Sequence, residues 1–310
     1  MIPSALEIGI YLTKVREMDE SQLQGVRRFN RLVTQRVGAL EVDYLRRGRP
    51  LAEARLIFEI SPDGVDARTL RSKLNLDSGY LSRLLQSLKT QGLIAVAKGD
   101  GDGRRRRVSL TRKGSAERAA YDRLSDKLAA SMLASLDVSE RSRLLTAMGE
   151  VERLIRAASV DVVAEAPDSA DARRCLEAYF RELEARFESG FDAATDHSAR
   201  AEDMTPPSGL FVIARLDGDA IGCGGFKRVD KATVEIKRVW TAPSARGMGV
   251  ARRMLRTLEA AARGSGLRTL RLDTNRALTE AHALYRSEGY REIARFSDNP
   301  YAHHWFEKRL

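Results

Sequence analysis

The stretch Val239-Trp240-Thr241-Ala242-Pro243-Ser244-Ala245-Arg246-Gly247-Met248-Gly249-Val250-Ala251 decides how this chain reads. Before it, Thr233 to Thr241 is rich in β-formers and stops ahead of a proline; after it, Met254, Leu255 and Leu258 keep helical spacing. A strand, a glycine turn and a helix N-terminus in that order make an anion site. Free backbone N–H groups converge there, and the helix dipole adds partial positive charge. Gly247 and Gly249 let the backbone approach a phosphate with no Cβ in the way.

The surroundings extend this α/β pattern. Arg268–Thr274 predicts a strand, Ala277–Ser287 a helix stopped by Gly289, and Tyr290 opens another strand. Upstream, Val160–Ala164 predicts a short strand, Asp168–Phe187 a helix, and Leu210–Leu216 with Ala220–Lys227 a hairpin turned at Asp217-Gly218-Asp219. His197–Ser208, polar with two prolines, predicts a loop over a site. Glu235 stands on the strand leading into the glycine turn, where a carboxylate could deprotonate an ammonium, and is the candidate base.

At 310 residues with 43% apolar composition, the chain can hold two domains, each with a core. No run of about 18 apolar residues suggests a transmembrane span, and the first residues lack a signal-peptide pattern, so a cytoplasmic protein without a membrane partner is expected. Cys175 and Cys223 have no metal-like spacing and read as reduced core residues; the four histidines form no ligand pattern, so no metal is expected.

Charge divides the chain. Residues 1–156 hold 29 Lys+Arg against 20 Asp+Glu, whereas residues 157–310 hold 24 against 23. The basic excess of the first half suggests a polyanion partner there. Met18 to Leu45 predicts one long helix with Leu23, Val26, Leu32, Val33, Val37 and Leu40 on a stripe. Ala52–Ile60 and Val65–Leu74 predict two shorter helices around the turn Ser61-Pro62-Asp63-Gly64. Asp77 is an N-cap for a helix from Ser78 to about Gln91, closed by Gly92. Leu81, Leu84, Leu85 and Leu88 make its buried stripe, and Ser78, Tyr80, Ser82, Arg83, Gln86 and Lys89 its outer face. That is a helix-turn-helix, whose second helix enters the major groove. Leu93–Ala97 and Arg107–Thr111 can pair as a hairpin with a Gly-rich tip and the run Arg104, Arg105, Arg106, Arg107, a basic wing suited to the sugar-phosphate backbone or minor groove. Two more helices, about Lys113–Ser135 and Ser139–Ala157, follow.

Two resemblances rest on these motifs. The segments D-S-G-Y-L-S-R-L-L-Q-S-L-K-T-Q-G-L-I (77–94) and D-G-D-G-R-R-R-R-V-S-L-T-R-K-G (100–114) resemble the MarR family of winged helix-turn-helix regulators, over roughly residues 5–157. This resemblance implies a homodimer built from terminal helices and bound to a pseudo-palindromic operator; the unusually Gly- and Arg-rich wing departs from the family. The run E-I-K-R-V-W-x-x-P-x-x-R-G-M-G-V-A-R-R-M-L (235–255), followed by L-x-T-N and A-L-Y-R-S-E-G-Y, resembles the GNAT family of acetyl-CoA-dependent N-acetyltransferases, over roughly 160–310. It implies that Arg246, Gly247, Met248, Gly249, Val250 and Ala251 hold the pyrophosphate of acetyl-CoA. Val239, Trp240 and Thr241 would pair with the pantetheine arm through a strand splayed from its neighbour. Asn275 and His282 would sit at the cofactor or substrate edge, and Tyr285 would protonate the departing thiolate.

The fold class expected is therefore multidomain. A mainly α winged helix-turn-helix domain over 1–157 binds DNA and dimerises, and an α/β (α+β) GNAT acetyltransferase domain with a mixed, splayed sheet covers 158–310. The function expected is a transcriptional regulator that also transfers acetyl from acetyl-CoA to a primary amine, with a small amine or amino acid preferred over a protein lysine. The alternative is a regulator whose GNAT-like half senses acetyl-CoA or an amine without turnover.

Overall fold

The computed structural model describes residues 19–98, 106–188, 190–192 and 199–310. The chain divides into two compact units, Met1–Arg141 and Ser142–Leu310.

The first unit opens with α1 (Glu20–Arg36), started by a capping box between Asp19 and Gln22. The single helix expected to run to Leu45 stops at Arg36, because Gly38 takes φ +67° and turns the chain; a short 3-10 turn, Tyr44–Arg46, follows. The α1 stripe stays largely exposed, with Val26 at 60% and Leu32 at 53%. Next come α2 (Leu51–Glu59), β1 (Val65–Asp66), α3 (Ala67–Lys73) and α4 (Ser78–Thr90). The helix expected from Val65 starts two residues late because Val65 and Asp66 pair with Val108 and Arg107 as a strand. Asp77 caps α4 by accepting the Tyr80 N–H at 2.8 Å, and Gly92 ends it with φ +71°. The wing strands β2 (Ile94–Lys98) and β3 (Arg106–Leu110) pair antiparallel from Ile94↔Leu110 to Lys98↔Arg106. In the core, the α4 leucines meet Leu56, Ile57 and the ring of Tyr121, which comes from α5 (Arg112–Leu133).

A polar cluster, buried at Glu53 and Glu117, ties this unit together. Glu117 of α5 accepts from Arg47 at 2.9 and 2.6 Å and from Arg49 at 2.6 Å. Arg49 also donates to Gln91, whose amide reaches Glu53 of α2 at 2.9 Å. The hydrogen bond from Arg47 holds the Glu117 carboxyl below the usual carboxylate range.

The second unit contains most of α6 (Val138–Ala158), then β4 (Asp161–Ala164), α7 (Ala170–Arg186), β5 (Gly209–Leu216), β6 (Asp219–Arg228) and β7 (Thr233–Thr241). It continues with α8 (Val250–Gly264), β8 (Thr269–Thr274), α9 (Thr279–Ser287), β9 (Arg291–Glu292) and β10 (His304–Arg309). The sheet order is β4-β5-β6-β7-β8-β10-β9, antiparallel throughout except for the parallel pair β7–β8. That exception follows from α8, which carries the chain from the end of β7 back to the start of β8. Met254, Leu255 and Leu258 of α8 pack into the core beneath the sheet.

Residues 199–208 do not form a loop over a site. Ala199 and Met204 are buried with Cys175, Phe211 and Cys223 in a core of their own, while Ala201, Pro206 and Pro207 stay exposed. His197 and Ser198 lie outside the described residues. Both cysteines are free and buried.

Candidate active site and nucleic-acid interface

Two irregularities in β7 open a cleft. Between the pairs Cys223↔Trp240 and Gly225↔Lys237 the register shifts, so β7 carries an extra residue, and Arg238 takes φ +60° in that bulge. On the other edge, β7 pairs with β8 only from Thr233↔Thr269 to Glu235↔Arg271. Beyond Glu235 the two parallel strands part. The cleft has a volume of about 460 Å³, and its walls include Val239, Trp240, Thr241, Gly249, Val250 and Tyr285.

The glycine turn closes one end. Gly247 has φ +77° and Gly249 φ +73°, and a Cβ built on either would meet nothing within 4 Å. Glycine is therefore required by backbone conformation, while the space beside it stays open. Among the described residues no backbone hydrogen bond uses the N–H groups of Gly247, Met248 or Gly249. The first-turn N–H groups of α8 add to them. Thr241 Oγ1 is buried without a hydrogen-bond partner among the described residues. The cleft thus offers donors and room for an extended ligand with an anionic end.

Tyr285 of α9 stands in the cleft wall, with its ring against Tyr290 and Phe306 at 5.8 Å each. Burial, followed by the Asp273 charge, pushes its phenol well up, so it stays protonated. A smaller cavity of about 80 Å³ shares Val239 and Tyr285 with the cleft and is also lined by Lys237, Asp273, Asn275, Asn299 and Tyr301.

Glu182 of α7, a cleft residue that no sequence motif marks, accepts from the Trp240 indole at 2.9 Å and from Arg246, and also pairs with Arg186. Burial pushes its carboxyl up, but Trp240 and the two arginines outweigh this and hold it below its ordinary value. Helical periodicity places Glu182 on α7; only the tertiary fold places α7 over β7.

In the first unit, Ser78, Arg83 and Gln86 are exposed on α4, while Tyr80 and Ser82 are half-buried; the Arg83 guanidinium lies 5.6 Å from the centre of the Tyr80 ring. A cavity of about 170 Å³ beside the start of α4 is lined by Asp66, Arg68, Arg71, Ser78, Leu81 and Arg106. Nothing in the sequence singles out Arg68 and Arg71, since they lie on α3 and converge with Arg106 only through folding. Arg107 is exposed but committed, donating from Nε to the Asp63 carbonyl at 3.1 Å and from Nη2 to the same oxygen. Arg104 and Arg105 lie outside the described residues.

Comparison with known proteins finds relatives for each half of the chain. The acetyltransferase (GNAT) family matches residues 175–290, and the MarR family matches residues 47–105. An IAA acetyltransferase of Azospirillum brasilense is 32% identical over 107 residues, which cover 34% of this chain and 70% of that protein. The N-alpha-acetyltransferase RimI of Mycobacterium tuberculosis is 33% identical over 128 residues, covering 40% of this chain and 75% of that protein. A solved structure from Klebsiella pneumoniae subsp. pneumoniae, assigned as an acyl-CoA N-acyltransferase, is 28% identical with a TM-score of 0.42, over 49% of this chain and 99% of that one.

The chain belongs to the GNAT acetyltransferase family. Its first half carries a MarR-family domain, so the whole is a MarR–GNAT fusion and an acyltransferase.

Within the GNAT half, several residues singled out from sequence stand apart from the cleft walls. Glu235, the candidate base, is buried between Lys237 at 2.6 Å and Lys227 at 3.2 Å, and Lys237 also reaches Asp273 at 3.0 Å. Two ammonium groups fully engage this carboxylate, and it lines neither cavity. His282 is buried under His304 with ring centres 4.4 Å apart, and its Nε2 meets the Asn275 carbonyl at 2.9 Å. Burial lowers its pKa, leaving a neutral ring outside the cleft walls. The Asn275 amide donates to the Tyr301 carbonyl and its oxygen accepts the Ala277 N–H, so it holds the start of α9 at the smaller cavity. Met248 leans on the core instead of lining the cleft.

Proposed function

We propose that this protein is a dimeric, operator-binding regulator that also transfers acetyl from acetyl-CoA to a primary amine, with a small amine or amino acid preferred. The parting of β7 from β8 carries the catalytic reading. It leaves the backbone of Val239–Thr241 on a free edge, with the glycine turn at one end and Tyr285 on the opposite wall. The N–H groups of the turn and of the first turn of α8, with the Arg246 side chain nearby, suit the pyrophosphate. Thr241 Oγ1 and the β7 backbone suit the amide-bearing arm.

Acetyl-CoA supplies an activated thioester. As the amine nitrogen bonds the acetyl carbon and the C–S bond breaks, the protonated Tyr285 phenol is placed to give its proton to the sulfur, and the proton shed by the new amide nitrogen returns to the phenolate directly or through water. Glu235, engaged by two lysines, is not free to act as base; the smaller cavity, with Asp273, Asn299 and Tyr301 in its walls, is the acceptor end. The exposed face of α4, with Arg68, Arg71 and Arg106, would meet DNA. The bare apolar stripe of α1 suits a second copy of the chain.

The test is release of CoA thiol from acetyl-CoA across amines, amino acids and basic peptides. Turnover with one class supports the enzyme reading and identifies the acceptor. Silence across the panel, with CoA still bound by calorimetry, overturns turnover and favours a sensor.

A further inference from the structure

Helix α6 lies outside the 175–290 span that matches the acetyltransferase family, yet one of its side chains reaches the cofactor turn. Arg153 Nη1 donates to the carbonyl of Gly247. Its guanidinium is held for this by Glu150, one turn earlier on the same helix, through hydrogen bonds at 3.0 and 2.6 Å. Just past the helix end, Arg253 of α8 donates to the Val160 carbonyl, so the end of α6 and the cofactor helix are joined in both directions.

The peptide between Gly247 and Met248 is planar and trans, so its carbonyl and the following N–H point in opposite directions. Arg153 is not among the cleft-lining residues, whereas Gly247 is. Holding the Gly247 carbonyl toward Arg153 therefore turns the Met248 N–H away from Arg153 and toward the open side of the turn. Turning this peptide changes ψ of Gly247 and φ of Met248, and glycine leaves its own torsion soft. A partner that holds the Gly247 carbonyl restrains that torsion.

We infer that Arg153 is a positioning residue for the phosphate-binding turn: it does not touch the cofactor but fixes the Gly247–Met248 peptide so that its N–H faces the pyrophosphate. The inference rests on the proposed cofactor reading. It makes the helix preceding the catalytic domain part of the cofactor site, and ligation of the turn and the set of α6 are then reciprocally linked.

The experiment uses the full chain and its Arg153→Ala and Arg153→Lys variants, titrated with CoA and with pantetheine, which lacks the pyrophosphate. Arg153→Ala is expected to weaken CoA about three- to fivefold, the scale of one exposed charged interaction, leave pantetheine unchanged, and keep the unfolding midpoint. Arg153→Lys should recover part of the CoA affinity. CoA binding equal to wild type in Arg153→Ala overturns the inference, and so does an equal loss for both ligands, which signals a merely structural role. Wild-type protein that binds no CoA overturns the cofactor reading and this inference together.

Discussion

Gly249→Ala separates what the glycine turn does for the fold from what it does for a ligand. Gly249 sits at φ +73° as the N-cap of α8, and a Cβ there meets no atom within 4 Å. Gly266, just past the other end of α8, is its control: φ is +76°, the space is equally open, and it lies outside the cleft walls. A non-glycine residue in the left-handed region costs about 1–2 kcal/mol, so both variants should lose that much stability without ligand. They should differ once CoA is added. At about a hundredfold excess over Kd, a ligand that binds only the folded state stabilises it by about 2.7 kcal/mol. Gly266→Ala should keep this increment. Gly249→Ala should lose most of it, because its Cβ occupies the space where a phosphate approaches the amides. Denaturant unfolding followed by tryptophan fluorescence reads the second unit alone, since Trp240 and Trp305 both lie there. Full CoA stabilisation in Gly249→Ala would refute the placement of the phosphates on this turn.

Three further outcomes are expected. Tyr285→Phe should lower kcat by about 100-fold or more while barely changing the KM for acetyl-CoA, as removal of a general acid does; steady-state thiol release measures it, and an unchanged kcat would remove the assignment. Glu117→Gln should destabilise the first unit by about 3 kcal/mol by leaving Arg49 short of its partner, as followed by far-UV circular dichroism. Because Arg47 and Arg49 depress the folded pKa of Glu117, its stabilisation is present above the ordinary glutamate pKa and fades as pH falls through the folded value, so the variant should also flatten the acid limb. Arg68→Ala, Arg71→Ala and Arg106→Ala should each reduce the salt slope of duplex binding by about 0.9 for every phosphate left without its cation; an unchanged slope in all three would exclude that face from the DNA interface.

What can be read from sequence and what cannot divides by the distance over which each constraint acts. The glycine turn, the Asp77 cap and the α4 stripe depend on residues within one or two turns of chain, so their residue types state their geometry directly. The early end of α1 is equally local: Gly38 stands inside the span of helical periodicity, and a left-handed glycine is an ordinary stop. The role of Glu235 is half legible. Lys237, two residues along the strand, shares its face, and an acid and a base at that spacing signal an ion pair. Lys227 faces it only through the hairpin register, and Asp273 reaches Lys237 only because β8 runs parallel beside β7. Arg107 shows the same limit, since its carbonyl acceptor on Asp63 is 44 residues away and one arginine in a run of four looks like the others.

Separation along the chain also explains why the fold suits the proposed acid, Tyr285, better than the base expected at Glu235. Tyr285 needs only to stay protonated at the cleft wall. Burial under Phe306 and Tyr290 together with the charge of Asp273 accomplishes this without a dedicated partner. A base needs an uncommitted carboxylate at the acceptor end, and the one described carboxylate in that cavity's wall, Asp273, is engaged by Lys237 and Ser297, while Glu235 is engaged by lysines and Glu182 of the main cleft by Trp240 and arginines. An amine that arrives unprotonated requires no such group. The acceptor that turns over fastest should therefore be one whose free-amine fraction is appreciable at the assay pH. Turnover should rise with pH along that acceptor's own titration and shift when its amine pKa is changed. A rise that stays fixed while the acceptor pKa is varied would instead assign the titration to the protein and restore a catalytic carboxylate or histidine to the site.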